Sequence, residues 1–170
     1  MTNRPGMKVG DREHPVQNEM LKVGDKAPAW ILTANNNSTA TSDAFVGKIK
    51  ILSIVPSLDT RVCATQTRRF NEEASNLNPN IVVITISADL PFAQRRWCGA
   101  EGIERIVTLS CHRDMQFADD YGVHDTEWRI CQRAVFVVDG DDIVRHVEYV
   151  YNMGSEPDYI AALSAAQKLV

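Results

Sequence analysis

The sequence predicts an α/β fold, a central mixed sheet flanked by helices, with an N-terminal β-hairpin extension. Three observations predict it. Apolar runs rich in β-branched residues at 49–55, 81–87 and 134–139 read as buried strands. Between the first two, apolar residues recur at helical spacing. Capping and stop residues mark the changes of period. Strands alternating with helices imply a mainly parallel sheet covered on both faces.

Each element has its own signal. Residues 7–9, 15–17 and 30–33 are short candidate strands, with turns at Gly10-Asp11 and at residues 35–38. The first two are expected to form the hairpin. After the strand at 49–55, Cys63, Thr67, Phe70, Ala74 and Leu77 fall on one helical face. Asp59 or Thr60 caps that helix and Asn78-Pro79-Asn80 ends it. Pro91 sits in the first turn of a second helix, closed by Gly99 and Gly102. Residues 106–110 form a third core strand. Asp114 caps a helix that runs to Tyr121 and stops at Gly122. The strand at 134–139 turns through Gly140-Asp141-Asp142 into another at 143–151. Ser155-Glu-Pro-Asp158 reads as a capping box for a last helix ending near Leu169. The core order βαβαβαββα is compatible with a thioredoxin-like fold, with residues 1–170 as one domain.

Composition narrows the classes of function. A chain of 170 residues, 44% hydrophobic and 24% charged, is that of an ordinary globular domain. A net charge of −4 argues against nucleic acid or an anionic membrane as the main partner. No stretch reaches the length of a membrane-spanning helix. The start, Met-Thr-Asn-Arg-Pro-Gly-Met-Lys, lacks the apolar core of a leader, so a cytoplasmic location is expected.

In that compartment structural disulfides are rare, and Cys63, Cys98, Cys111 and Cys131 must be packing, metal-binding or reactive groups. No C-x-x-C occurs, against both a dithiol site of the thioredoxin type and a zinc site. Neither a metal nor an organic cofactor is expected.

Cys63 falls where a buried strand gives way to a helix. A cysteine on an apolar helix face is ordinarily a small packing residue. A helix N-terminus, however, favours negative charge and hence the thiolate. Thr60, three residues earlier, carries a hydroxyl into the same space, and Pro56 stiffens the loop. Cys98 lies in the second helix, 35 residues on, at a distance spacing alone does not give. Arg133 opens the strand at 134–139. It is either a solvated strand end or the cation that would hold a thiolate charged. Cys111 and Cys131 read as packing. An extended segment at 131–133 would put Cys131 and Arg133 on one face, a basis for a second redox role. Arg68-Arg69 and Arg95-Arg96 read as solvated helix faces. Val55, Leu58, Phe92 and Trp97 are either core or an apolar surface beside the cysteines.

The string P-x-x-x-T-x-x-C at Pro56, Thr60 and Cys63 resembles the active-site signature of the peroxiredoxins. Ser57-Leu-Asp-Thr-Arg-Val-Cys63, Ile86-Ser-Ala-Asp-Leu-Pro-Phe-Ala-Gln94, Cys98-Gly-Ala-Glu-Gly102, Arg133-Ala-Val135 and Glu156-Pro-Asp-Tyr159 are similar to the thiol peroxidase branch, from about Val23 onward. The resemblance implies an atypical two-cysteine mechanism. Cys63 would be peroxidatic and Cys98 resolving, with Thr60 and Arg133 activating and Pro56 shielding. It implies a hydroperoxide substrate, thioredoxin as reductant and a homodimer. A disulfide relay to client proteins would use the same cysteines.

Overall fold

The computed structural model describes residues 4–170, so the first three residues of the start lie outside the described residues. In chain order, β1 (Met7–Val9) and β2 (Arg12–His14) form an antiparallel hairpin, turned by Gly10 at φ +59. The partner strand is therefore 12–14, not 15–17. Val16–Gln17, β3, pairs instead with residues 124–125. Pro15, between β2 and β3, lacks the amide proton a continuing ladder would need. A second hairpin joins β4 (Ile31–Ala34) to β5 (Thr39–Thr41) across the 35–38 turn.

Next come β6 (Ile49–Ile54), α1 (Arg61–Ala74), β7 (Ile81–Ser87), α2 (Pro91–Glu101), β8 (Val107–Ser110) and α3 (Gln116–Asp120). Two short strands follow, β9 (His124–Asp125) and β10 (Ile130–Cys131), then β11 (Ala134–Val138), β12 (Val144–Tyr149) and α4 (Tyr159–Gln167). The core strands and helices stand where the sequence predicts them, with ends trimmed. Gly102 alone closes α2, at φ +66; Gly99 is inside the helix. Asp114 accepts from the Gln116 amide, but the N-cap of α3 is Met115. The capping box before α4 does not form. Asp158 is the N-cap and accepts from the Ala161 amide, while Ser155 is held in a turn on Asn152.

The main sheet has the order β12-β11-β6-β7-β8-β4-β5. β6, β7 and β8 are parallel; β11 and β4 flank them antiparallel. The steps from β6 to β7 and from β7 to β8 run in the same direction across the sheet. Right-handed crossovers then put α1 and α2 on one face.

Strand alternation sorts the core. Ile49, Ile51, Val83, Val135 and Val137 meet Phe70 of α1 and Ala162 and Ala166 of α4. Leu52, Ile54, Ile84, Ile86 and Phe136 point the other way, against Trp30, Phe117 and Tyr121. This period-two sorting is how every strand side chain receives a layer. The fold is thioredoxin-like.

Candidate active site

Cys63 is the third residue of α1, three positions after the N-cap Thr60. The loop 56–60 delivers it there. Pro56 is buried, and Thr60 closes the loop through its amide and its hydroxyl, both donated to the Ser57 carbonyl, at 3.1 and 3.0 Å. The Thr60 hydroxyl therefore does not cap the helix. The N–H groups of the first turn have no intrahelical acceptor and point into the space before the helix.

Asp89 ties this loop down. Its carboxylate accepts from the Ser57 hydroxyl at 2.7 Å, the Leu58 amide at 2.8 Å and the Ser87 hydroxyl at 2.7 Å. In the sequence Asp89 stands out only as part of the 86–94 string that is similar to thiol peroxidases. Its turn back toward residues 57–58 depends on a contact 31 residues away, which no local pattern signals.

Arg133 is 1% exposed, so the solvated strand-end reading is wrong. Its Nη2 donates to Cys63 Sγ at 3.4 Å and to the Met153 carbonyl at 2.8 Å. Its Nη1 donates to Gln66 Oε1 at 2.9 Å, and Gln66 Nε2 in turn donates to the Ser53 hydroxyl at 2.8 Å. Gln66, one turn after Cys63, was legible as a polar interruption of the helix's apolar face. No carboxylate pairs with Arg133 among the described residues. A buried, unpaired guanidinium is costly, and the group beside it able to carry a compensating negative charge is the Cys63 sulfur.

Cys98 lies near the end of α2, in the same apolar cluster as Cys63, with Val55, Leu58, Ala64 and Trp97. Three of the four apolar residues that sequence left open as core or apolar surface, Val55, Leu58 and Trp97, are thus core. Phe92 is exposed. Cys98 Sγ is 3.2 Å from the Thr108 hydroxyl. Burial pushes its thiol up from the usual value, partly offset by hydrogen bonds from Thr108 and Asn35. Both cysteines are free thiols on helical backbone. Arg68 and Arg69 are half exposed, but Arg68 pairs with Glu101 at 2.8 Å and lies over the Trp97 ring, joining α1 to α2.

Cys131 does not share a face with Arg133. Residues 132–133 leave the strand, and Cys131 packs on the opposite side of the sheet, in the cluster of Phe136 and Tyr121. No group of three or more His, Cys, Asp or Glu side chains able to hold a metal occurs among the described residues. None of the helices described is long and apolar enough to cross a membrane.

A thioredoxin-like sheet with a cysteine in the first turn of a helix and a buried arginine on its sulfur defines a thiol-reactive class. The chain belongs to the Redoxin family, whose profile matches residues 22–163. Within it the chain is similar to thiol peroxidases. The enzyme of Streptococcus pneumoniae (strain ATCC BAA-255 / R6) is 52% identical over 151 residues, 89% of this chain and 92% of the relative. That of Oceanobacillus iheyensis is 52% identical over 147 residues, 86% of this chain and 89% of the relative. A peroxiredoxin-like protein from Aquifex aeolicus has a similar crystal structure, with a TM-score of 0.89 at 29% identity over 98% of each chain. The protein is accordingly a peroxidase that works through thiols.

Proposed function

We propose that this peroxidase reduces hydrogen peroxide and organic hydroperoxides through a Cys63 sulfenic acid and an intramolecular Cys63–Cys98 disulfide, all within one domain. The observation that carries the reading is the buried Arg133 guanidinium, 3.4 Å from Cys63 Sγ and without a carboxylate partner among the described residues. A thiolate is the nucleophilic form of cysteine, and Arg133 is the cation that stands beside this sulfur.

The Cys63 thiolate attacks the terminal peroxide oxygen. An S–O bond forms, the O–O bond breaks, and water or an alcohol leaves after taking a proton. Negative charge grows on the leaving oxygen. Arg133 and the first-turn N–H groups are the donors available to receive it, and the Thr60 hydroxyl joins them once it leaves the Ser57 carbonyl. Pro56 shields the sulfur and keeps the loop stiff. Cys98 then attacks the sulfenic sulfur, forming an S–S bond and releasing water. Because both residues are helical, the end of α2 must unwind first. Thioredoxin restores the two thiols by exchange.

The protein would act as a homodimer in the cytoplasm, in antioxidant defence. Neither a metal nor an organic cofactor takes part in any step.

Two variants test the reading in one assay. Cys63→Ser is expected to abolish peroxide consumption. Cys98→Ser is expected to consume about one equivalent and then stop cycling with thioredoxin. Sustained thioredoxin-dependent turnover by Cys98→Ser would remove Cys98 from the resolving role.

A further inference from the structure

Two cysteines are left unused by this chemistry, and they lie together. Cys111 Sγ and Cys131 Sγ are 3.5 Å apart, although 20 residues separate them in sequence. Both belong to the core on the far side of the sheet from Cys63 and Cys98. Met115 Sδ lies 3.9 Å from Cys111 Sγ, on the turn that leads into α3. No charged group is hydrogen-bonded to either sulfur among the described residues.

The two thiols are not equivalent. Cys111 lines a surface cleft of about 200 Å³, together with Leu32, Thr33, Ser110, Arg113 and Asp114. Cys131 is fully buried behind it. The hydrogen bond to Cys111 and burial both push the Cys131 thiol well up. Of the two thiols Cys111 is the one that borders the cleft, and at 2% exposure its sulfur is reached as the cleft walls part.

We propose that Cys111 and Cys131 are a second peroxide-oxidisable dithiol, with Cys111 the point of attack from the cleft and Cys131 the thiol that closes the disulfide. The Cys111 sulfur takes the terminal oxygen of a hydroperoxide. An S–O bond forms, the O–O bond breaks, and alcohol or water leaves. The Cys131 sulfur then displaces the hydroxyl from the sulfenic sulfur, forming the S–S bond and releasing water. One hydroperoxide and two thiols give one disulfide, one alcohol and one water, a two-electron balance.

The sulfurs must approach by about 1.5 Å to reach bonding distance. The chain between them holds only the five-residue α3 and two two-residue strands, so the movement falls on short elements and not on the long strands of the main sheet. Cys111 lacks the guanidinium that Cys63 has. The second pair is therefore slower and fills only at peroxide levels above those that saturate the first.

The test needs neither Cys63 nor Cys98, so its result is independent of the function proposed above. The Cys63→Ser/Cys98→Ser chain is treated with excess hydrogen peroxide, denatured, alkylated and read by mass spectrometry. The expected product is two hydrogens lighter, unalkylated at both cysteines, with a peptide cross-linked between 111 and 131. In the same background Cys131→Ser should leave a sulfenic acid on Cys111, trapped by dimedone. Wild-type protein under excess peroxide should carry two disulfides, and Cys111→Ser only one, which guards against a misfolded double variant. Full alkylation of both thiols after peroxide, or a sulfenic acid on Cys131 when Cys111 is replaced by Ser, would overturn the proposal.

Discussion

Arg133 does what no other residue in the site does: it brings a full positive charge into the core and spends its donors on Cys63, Gln66 and Met153. Lysine keeps the charge but has neither the planar fork nor the reach to hold three acceptors at once. Arg133→Lys is expected to lower the rate of peroxide reduction by roughly 100-fold, the usual loss when one preorganised donor is removed. Stopped-flow kinetics with hydrogen peroxide checks this. Restored activity with Lys would mean that charge alone suffices. The residue was legible in sequence only as one of two readings. An arginine beside a strand is usually solvated, and the folded chain decides otherwise by closing residues 63, 66 and 153 around it.

At the scale of elements, the proposed chemistry rests on the loop 56–60, which leads to Cys63, and on helix α2, which carries Cys98. Asp89 joins them, since it lies two residues before α2 and holds Ser57 and Leu58. Asp89→Ala leaves three donors without their acceptor. Hydrogen bonds to a charged group are worth about 1.5–3 kcal/mol, so urea unfolding should show a loss of that order. Peroxide consumption should fall in parallel, because the loop that aims Cys63 is no longer held.

Helix α2 carries a pH dependence of its own. Burial raises the Cys98 thiol above its usual value near 9, so the fold favours the protonated form. The resulting stability is complete below that value and is lost as pH rises through the folded-state value. Under reducing conditions wild type should therefore lose stability relative to Cys98→Ser above about pH 9. Urea midpoints of the two proteins across that range read it directly.

The helices and core strands were clear in sequence because period and caps are local signals. The strand at 39–41 and the β3–β9–β10 sheet were not. Strands of two or three residues have too little pattern to register, and their partners are remote.

For the whole molecule, stability rests on a sheet covered on both faces. Phe136 stands in β11, fully buried, with its ring edge-on to both Tyr121 and Tyr149. Phe136→Ala is expected to cost about 3–5 kcal/mol, the range for deleting a buried aromatic ring. A shift in the urea midpoint at unchanged slope would confirm a pure stability loss. The same layer holds Cys111 and Cys131, while the other holds Cys63 and Cys98, so the sheet separates two thiol pairs in one small protein.

Sequence alone determined the strand and helix pattern of the core, and its resemblance to the peroxiredoxins pointed to Pro56, Thr60, Cys63, Cys98 and Arg133 as candidates. Those readings need only local period, capping and motif, which the chain carries in a few neighbouring residues. Only the tertiary structure decided that Arg133 is buried on the Cys63 sulfur, that Asp89 clamps the loop, and that Cys131 turns from Arg133 to meet Cys111. Each depends on residues 20 to 70 positions apart, brought together by the order of strands and the side of the sheet each crossover takes.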